Sequence, residues 1–338
     1  MAEQHRSRGF TRADALIVGV VCLVLVLLIP VVQAMTEAHY IRSSCGNNLS
    51  QIGRMMLIYA NDYDDELPRA GGRTSIWGAV TNWMSATRYL AFGLDVGGGG
   101  GRATINSCFY LLVKYAEATP RLFVCEGDEG TTEFRLSDVP ADTLPSGFEL
   151  IDAWDFGPPT TSFKSCSYSY HLPFGSPYPP TLAADPNLAL AADRSPWFIS
   201  PAGSPMPFST FVPDLPQFSG NAQSARSGNA IAHGLDGQNV LFLDGRVAFE
   251  DRSYCAAEMD NIYTPSDYAG EGSPWGYLPT FASVPSNRKD SLLVHDPNIL
   301  PPVIRRQARY LPGHQITKSQ GKARPADSSA AAARSAWK

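Results

Sequence analysis

The sequence predicts an α+β fold in which one long N-terminal helix packs on an antiparallel sheet. Three observations predict it. Residues 10–32 form a nearly unbroken apolar run, and apolar residues then recur at spacings of three and four through residues 33–65. The rest of the chain is rich in turn formers, and it carries short alternating segments that end in a hairpin around Asp244-Gly245. The chain has 338 residues, 44% hydrophobic and 17% charged, with 29 Gly and 27 Pro. That length suits one large domain or two small ones, and the Gly and Pro favour loops and strands over helices. A net charge of −5 leaves no basic footprint for a nucleic-acid partner.

Ala15 to Ile29 is unbroken, and Val31 and Val32 extend the run past Pro30. A membrane-spanning helix needs roughly 20 such residues, because about 30 Å of hydrocarbon is crossed at ~1.5 Å per residue. Arg6, Arg8 and Arg12 precede the run. The positive-inside rule then places the N-terminus in the cytoplasm and the body outside, as a single-pass inner-membrane protein with a periplasmic or cell-surface body. A cleaved signal peptide would need a small-x-small site, for which only Val32 and Ala34 are present. An uncleaved anchor fits the hydropathy but leaves Asp14 unexplained, since a carboxylate beside lipid is costly without a partner.

The stretch Gly9-Phe10-Thr11-Arg12-Ala13-Asp14 resembles the type IV prepilin signal: a basic leader, a Gly, then Phe-Thr and an acid five residues into the mature chain. The resemblance implies that a prepilin peptidase cuts after Gly9, removing a 1–9 leader, and methylates the new amine of Phe10. It also implies that Asp14 neutralises the N-terminal amine of a neighbouring subunit during assembly. The acid of that family is usually Glu, and Arg12 and Ala13 stand where apolar residues are usual.

Beyond Pro30, the positions Ala34, Ala38, Ile41, Cys45, Leu49, Ile52, Met56 and Tyr59 lie on one helical face. With the apolar run they make a two-part stem, 10–32 in the membrane and 33–65 amphipathic, roughly 75 Å long if continuous. Pro30 is a candidate for a local kink. Cys45, Asn47, Asn48, Leu49, Gln51, Ile52 and Gly53, followed by Tyr59 to Tyr63, resemble stretches of a large bacterial family of prepilin-like proteins.

The body, 66–300, contains one further helical candidate, Asn106 to Ala118. The glycine run Val96 to Arg102 lacks the Gly-Lys-Ser/Thr of a phosphate loop and reads as an ordinary loop. The segments around Cys125 and Cys166 read as short strands. The resemblance makes a Phe-x-Cys stretch and a following Ser-Tyr-x-Tyr strand usual here. An exported body would allow a Cys125–Cys166 disulfide, two buried thiols being the alternative. Leu190 to Phe198 resembles another strand and turn of the same family, with Asp193 as a turn or cap residue. In Asn239 to Glu250, Val240 and Phe242 alternate with Leu241 and Leu243, Asp244-Gly245 forms a two-residue turn, and Val247 and Phe249 return. The resemblance covers this region too, with a His about ten residues before the Asp-Gly, here His233, and the Asp260–Thr264 stretch after it.

Two places offer donors for a divalent metal such as calcium. One is His233 with Asp236 and Asp244; the other is Asp62, Asp64 and Asp65 at the end of the stem. Helix-ending and turn roles compete with both. No cofactor is implied, and no nucleophile or zinc-protease motif marks an enzyme. The tail, 301–338, holds eight Lys/Arg between Arg305 and Lys338 with one acid, and is expected to be disordered. The expected function is a structural subunit or minor component of a pilus-like or type II secretion-like (pseudopilin) filament, with other pilin or pseudopilin subunits and the inner membrane as partners. The alternatives are an anchored, exported binding module that does not polymerise, and an anchored hydrolase using His233.

Overall fold

A computed structural model describes residues 12–196, 222–265, 279 and 283–297. Gly9, Phe10, the leader, the Pro-rich stretch from residue 200 to 218 and the basic tail lie outside the described residues.

The stem is one helix. Helix α1 runs from Arg12 to Asp62 without interruption at Pro30, 51 residues in all. At ~1.5 Å per residue it is about 76 Å long. Its first part is long and apolar enough to cross a membrane, and none of that window is buried against the body. Its last part is buried at Cys45, Leu49, Ile52, Gly53, Met56, Tyr59 and Ala60. The predicted stripe is therefore half correct. It is buried from Cys45 onward, whereas Ala34 and Ala38 are exposed and Ile41 is half-buried. The body meets the helix about two turns later than periodicity alone suggested.

Helix α2 (Arg88–Phe92) and helix α3 (Ile105–Tyr115) follow. The expected 106–118 helix is thus present, started by a Thr104 cap whose Oγ1 accepts from the Ser107 amide. A short parallel pair, β1 (Ile76–Trp77) and β2 (Arg102–Ala103), lies before it. The Tyr-Ala-Asn-Asp-Tyr stretch closes α1 on α3: Tyr59 and Tyr63 stack at 4.2 Å, and both lie against Tyr115.

The main sheet is antiparallel, with strands β3 (Tyr168–His171), β4 (Ala189–Asp193), β5 (Gln238–Phe242), β6 (Val247–Glu250) and β7 (Leu293–Val294). Their order is β6-β5-β4-β3-β7, a meander whose last strand returns to the far edge. Helix α4 (Ala222–Gly228) precedes β5. The segment around Cys125 is not a strand. Pro120–Phe123 is a single 3-10 turn, because Pro120 fixes a helical φ at its start.

Register decides which side chains meet the stem. Tyr168 pairs with Asp193, Tyr170 with Ala191, Ala191 with Leu241, Leu241 with Val247, and Asn239 with Phe249. Directly paired residues share a face. This row faces α1: Tyr168 Oη donates to the Cys45 carbonyl at 3.5 Å, and a Cβ on Gly53 would stand 2.7 Å from Leu241 Cδ1. Val240 and Phe242 point the other way, and β5 is buried on both faces.

The hairpin forms with a different turn from the one expected. The Gly245 amide donates to the Phe242 carbonyl at 3.0 Å and the Phe242 amide to Arg246 at 2.9 Å. Of the three loop residues only Gly245 has a positive φ, of 84°. This is a three-residue loop closed by a left-handed glycine rather than a two-residue Asp-Gly turn. Asp244 Oδ1 accepts the Arg246 amide within it.

Gly53→Val should lower unfolding free energy by about 1–3 kcal/mol, the usual cost of overpacking, in chemical denaturation of detergent-solubilised protein. Burial lowers the His171 pKa to about 4 from 6.5. Between those values the unfolded chain binds more protons than the folded one, so stability falls as pH falls through that window, by about 3 kcal/mol. Asp155 and Asp296 are buried and their pKa values are raised, so they act with the opposite sign. The difference between wild type and His171→Gln, followed from pH 7 to 4, should isolate the histidine step.

Candidate functional site

The site lies where α1, the Cys125 loop, the end of β4 and the turn before β5 converge. The turn is a 3-10 element, Ile231–His233, closed by Gly234 in a left-handed conformation. It aims His233 inward. The side chain is 3% exposed although its backbone reaches the surface. Its Nε2 lies 2.9 Å from Asp193 Oδ2 and 3.2 Å from Asn239 Nδ2.

Asp193 is fully buried at the end of β4. Its Oδ2 accepts from the Asn239 amide at 2.6 Å and from Asn239 Nδ2 at 3.1 Å. Its Oδ1 is buried with no hydrogen-bond partner. A carboxylate oxygen only accepts, so the 2.9 Å contact between His233 and Asp193 is a donation from Nε2–H. Tyr263, from the 260–264 stretch, donates its hydroxyl to the Asp193 carbonyl at 2.8 Å. The strand end is thus held from backbone and side chain together.

The next residue, Arg194, serves the other side of the site. It is buried and pairs with Asp128 at 3.1 Å, and it donates to the carbonyls of Phe163, at 3.1 Å, and Cys166. Buried charges of this kind persist only when paired and hydrogen-bonded. The pair fixes the loop that carries Cys125. Gly127 in that loop has no room for a side chain, since a Cβ would stand 2.2 Å from the Ala232 carbonyl and 3.0 Å from Ile41. Asn48 of α1 reaches the same loop, donating to the Val124 carbonyl at 3.1 Å.

Cys125 is disulfide-bonded to Cys45, across 80 residues. This corrects the expected Cys125–Cys166 pairing. Cys166 ends a 3-10 turn (Ser162–Ser165) just before β3 and its thiol is buried in the core, whereas the stem presents Cys45 to the Cys125 loop. Cys166 is free and buried, and burial raises its pKa to about 12. The donor atoms of Cys45, Cys125, Asp193 and His233 all lie within 4.8 Å of one another.

The other residues singled out from the sequence are elsewhere. Asp236 forms an exposed ion pair with Arg226, and Asp244 serves the hairpin. Asp64 and Asp65 take left-handed φ values of 52° and 61° and end α1, with Asp62 receiving a long 3.4 Å contact from Asn61. Among the described residues, neither acidic set forms a group of three metal donors; the only such group is the one at His233. Asp14 sits exposed in the first turn of α1. Sequence reasoning missed Asp193 and Cys45 as site residues. The only signal was that each stands in a stretch resembling a known motif. No family model, curated protein or solved structure matches the chain.

Non-reducing peptide mapping should recover Cys45 and Cys125 in one linked pair, with Cys166 alkylated only after denaturation. Replacing both linked residues by Ser should cost about 2–5 kcal/mol of stability in denaturant titration, the range for removing a native cross-link.

Proposed function

We propose that the protein is a membrane-anchored, exported subunit or minor component of a pilus-like or pseudopilin filament. The observation that carries this reading is the division of one continuous helix, α1. Its residues 12–40 are exposed and mostly apolar, and from Cys45 to Ala60 one side is buried in the body. A solvated helix would not expose Leu16 to Val32 to water, and a plain anchor would not need to enter the core of the body as a continuous rod. On the body-bearing part, Leu57 and Ile58 remain 43% and 54% exposed on the side away from the sheet. Such positions suit packing of one stem against another. The prepilin-like signal at Gly9, Phe10 and Asp14 agrees with the same role, with the N-terminus cytoplasmic and the body outside.

In this reading the residues divide the work. Gly9 is the peptidase site, Phe10 the new methylated N-terminus, and Asp14 the counter-charge for the neighbour's amine in a low dielectric. The Cys45–Cys125 bond fastens the body to the stem, so load on the helix is passed to the Cys125 loop of the body through a covalent link.

Mass spectrometry of the native N-terminal peptide should find N-methyl-Phe10; Met1 or Ala2 at the terminus would refute processing. Gly9→Leu should retain the leader while leaving membrane insertion intact. An unpaired charge in the apolar layer costs roughly 2.5–3.5 kcal/mol. Asp14→Ala should therefore reduce sedimentable assemblies by about a hundredfold while leaving cleavage unchanged. Cleaved, methylated protein that never assembles would favour the non-polymerising binding module.

A further inference from the structure

We infer that Cys45, Cys125, Asp193 and His233 form a four-ligand site for a thiophilic divalent cation, zinc foremost, available when the Cys45–Cys125 disulfide is open. The four residues come from α1, the Cys125 loop, β4 and the turn before β5. Their donor atoms converge within 4.8 Å of one another. A tetrahedral zinc, with Zn–S near 2.3 Å and Zn–N or Zn–O near 2.0 Å, places its donors roughly 3.3–3.8 Å apart. Opening the disulfide lets the two sulfurs separate to that distance, and shifts of about 1 Å bring in the other two donors.

A second observation points to a ligand at the same place. Asp193 is fully buried, yet its Oδ1 has no hydrogen-bond partner. A buried carboxylate oxygen without a donor is costly, and a cation is one means of satisfying it. The residues around the ligands also behave as a metal's outer contacts do. Asn239 donates twice to Asp193 Oδ2, orienting the carboxylate, and Tyr263 holds its backbone. Two thiolates, a carboxylate and a neutral imidazole give a zinc complex of net charge −1. Arg42, one turn before Cys45, lies with its guanidinium 3.7 Å from the Phe249 ring centroid, and that ring contacts His233 edge-on. The donor set excludes calcium as the preferred ion, because calcium takes six to eight oxygens.

The chemistry balances with a dithiol donor. A donor thiolate attacks one sulfur of the Cys45–Cys125 bond, a mixed disulfide forms, and the donor leaves as its own cyclic disulfide. Two electrons and two protons end on Cys45 and Cys125. Zinc then displaces both thiol protons to solvent, and His233 exchanges its Nε2 proton through solvent for one on Nδ1, which frees the Nε2 lone pair to replace the hydrogen bond to Asp193 with a coordinate bond. The site has two closed states, a covalent S–S bond or a bound metal, and each ties the stem to the body. The oxidised state cannot supply thiolates.

The test uses the full chain in detergent, reduced with dithiothreitol and desalted without oxygen. Cobalt(II) is titrated as the probe and zinc as competitor. One equivalent of cobalt should give thiolate-to-metal charge transfer and the visible bands of a tetrahedral site, both removed by zinc. The oxidised protein should give neither, and it needs no mutation as a control. Asp193→Asn and His233→Gln should each weaken binding at least about tenfold, as loss of a ligand must exceed loss of an outer-shell contact. Asp236→Asn and Asp244→Asn should leave it unchanged. Reduced, folded protein without the charge-transfer band would overturn the inference. So would equal binding by the oxidised form, wild-type affinity in the Asp193 and His233 variants, or a band that survives Cys45→Ser with Cys125→Ser. If reduction alone unfolds the body, zinc should restore its near-ultraviolet circular dichroism, and failure to do so would equally overturn it.

Discussion

The contact between the last third of α1 and the row Tyr168, Asp193, Asn239, Leu241 is the constraint on which the structure depends. Each large side chain buried there contributes about 1.5–3 kcal/mol by leaving water. The contribution is available only if the helix lies close to the sheet. Gly53 and Ala191 keep that distance short, and Leu241 occupies the space they leave. α3 closes over the stem's end through Tyr115, and the Cys125 loop closes over its middle through Asn48 and the disulfide. The last third of the helix is thus part of the core of the body.

Polar groups inside this contact make it specific rather than merely apolar. Asp193 and Arg194 are adjacent, buried and turned to different tasks, one toward His233 and Asn239, the other toward Asp128. Neither charge would be tolerated alone. Together they fix where the turn before β5 and the loop after the 3-10 element sit on the stem. Another buried carboxylate, Asp296, accepts the Ile105 and Asn106 amides at the start of α3 and the Trp77 indole, joining the small sheet to the large one. Burial raises its pKa, and these three donors hold the rise in check.

Local patterns were legible in the residues because they depend on near neighbours. The three-four spacing from Cys45 to Tyr59, the capped helix after Thr104 and the alternation through Val240 to Phe242 are all consequences of backbone period. The errors share a cause as well. Ala34 and Ala38 continue the period but have nothing to pack against, since period shows which face is apolar and not where a partner begins. The turn at Asp244-Gly245 was placed correctly and typed wrongly, because one further loop residue changes which position needs a positive φ.

By itself the sequence determined a long helix with an apolar first part, short strands in the body and a hairpin around Asp244-Gly245, each set by spacing along the chain. It also made His233 conspicuous. Only the tertiary structure decided what His233 meets. Its partners, Asp193, Asn239 and the Cys45–Cys125 pair, come from segments far apart in the chain, and each residue type there has an ordinary local role. Asp193 reads as a turn residue, Cys45 as one more apolar position on a helix, and Cys125 as a candidate partner for the nearer thiol. Their convergence arises from register and from the close approach of Gly127 to Ala232. Neither leaves a periodic trace in the chain, because a contact between distant segments is selected by packing in three dimensions.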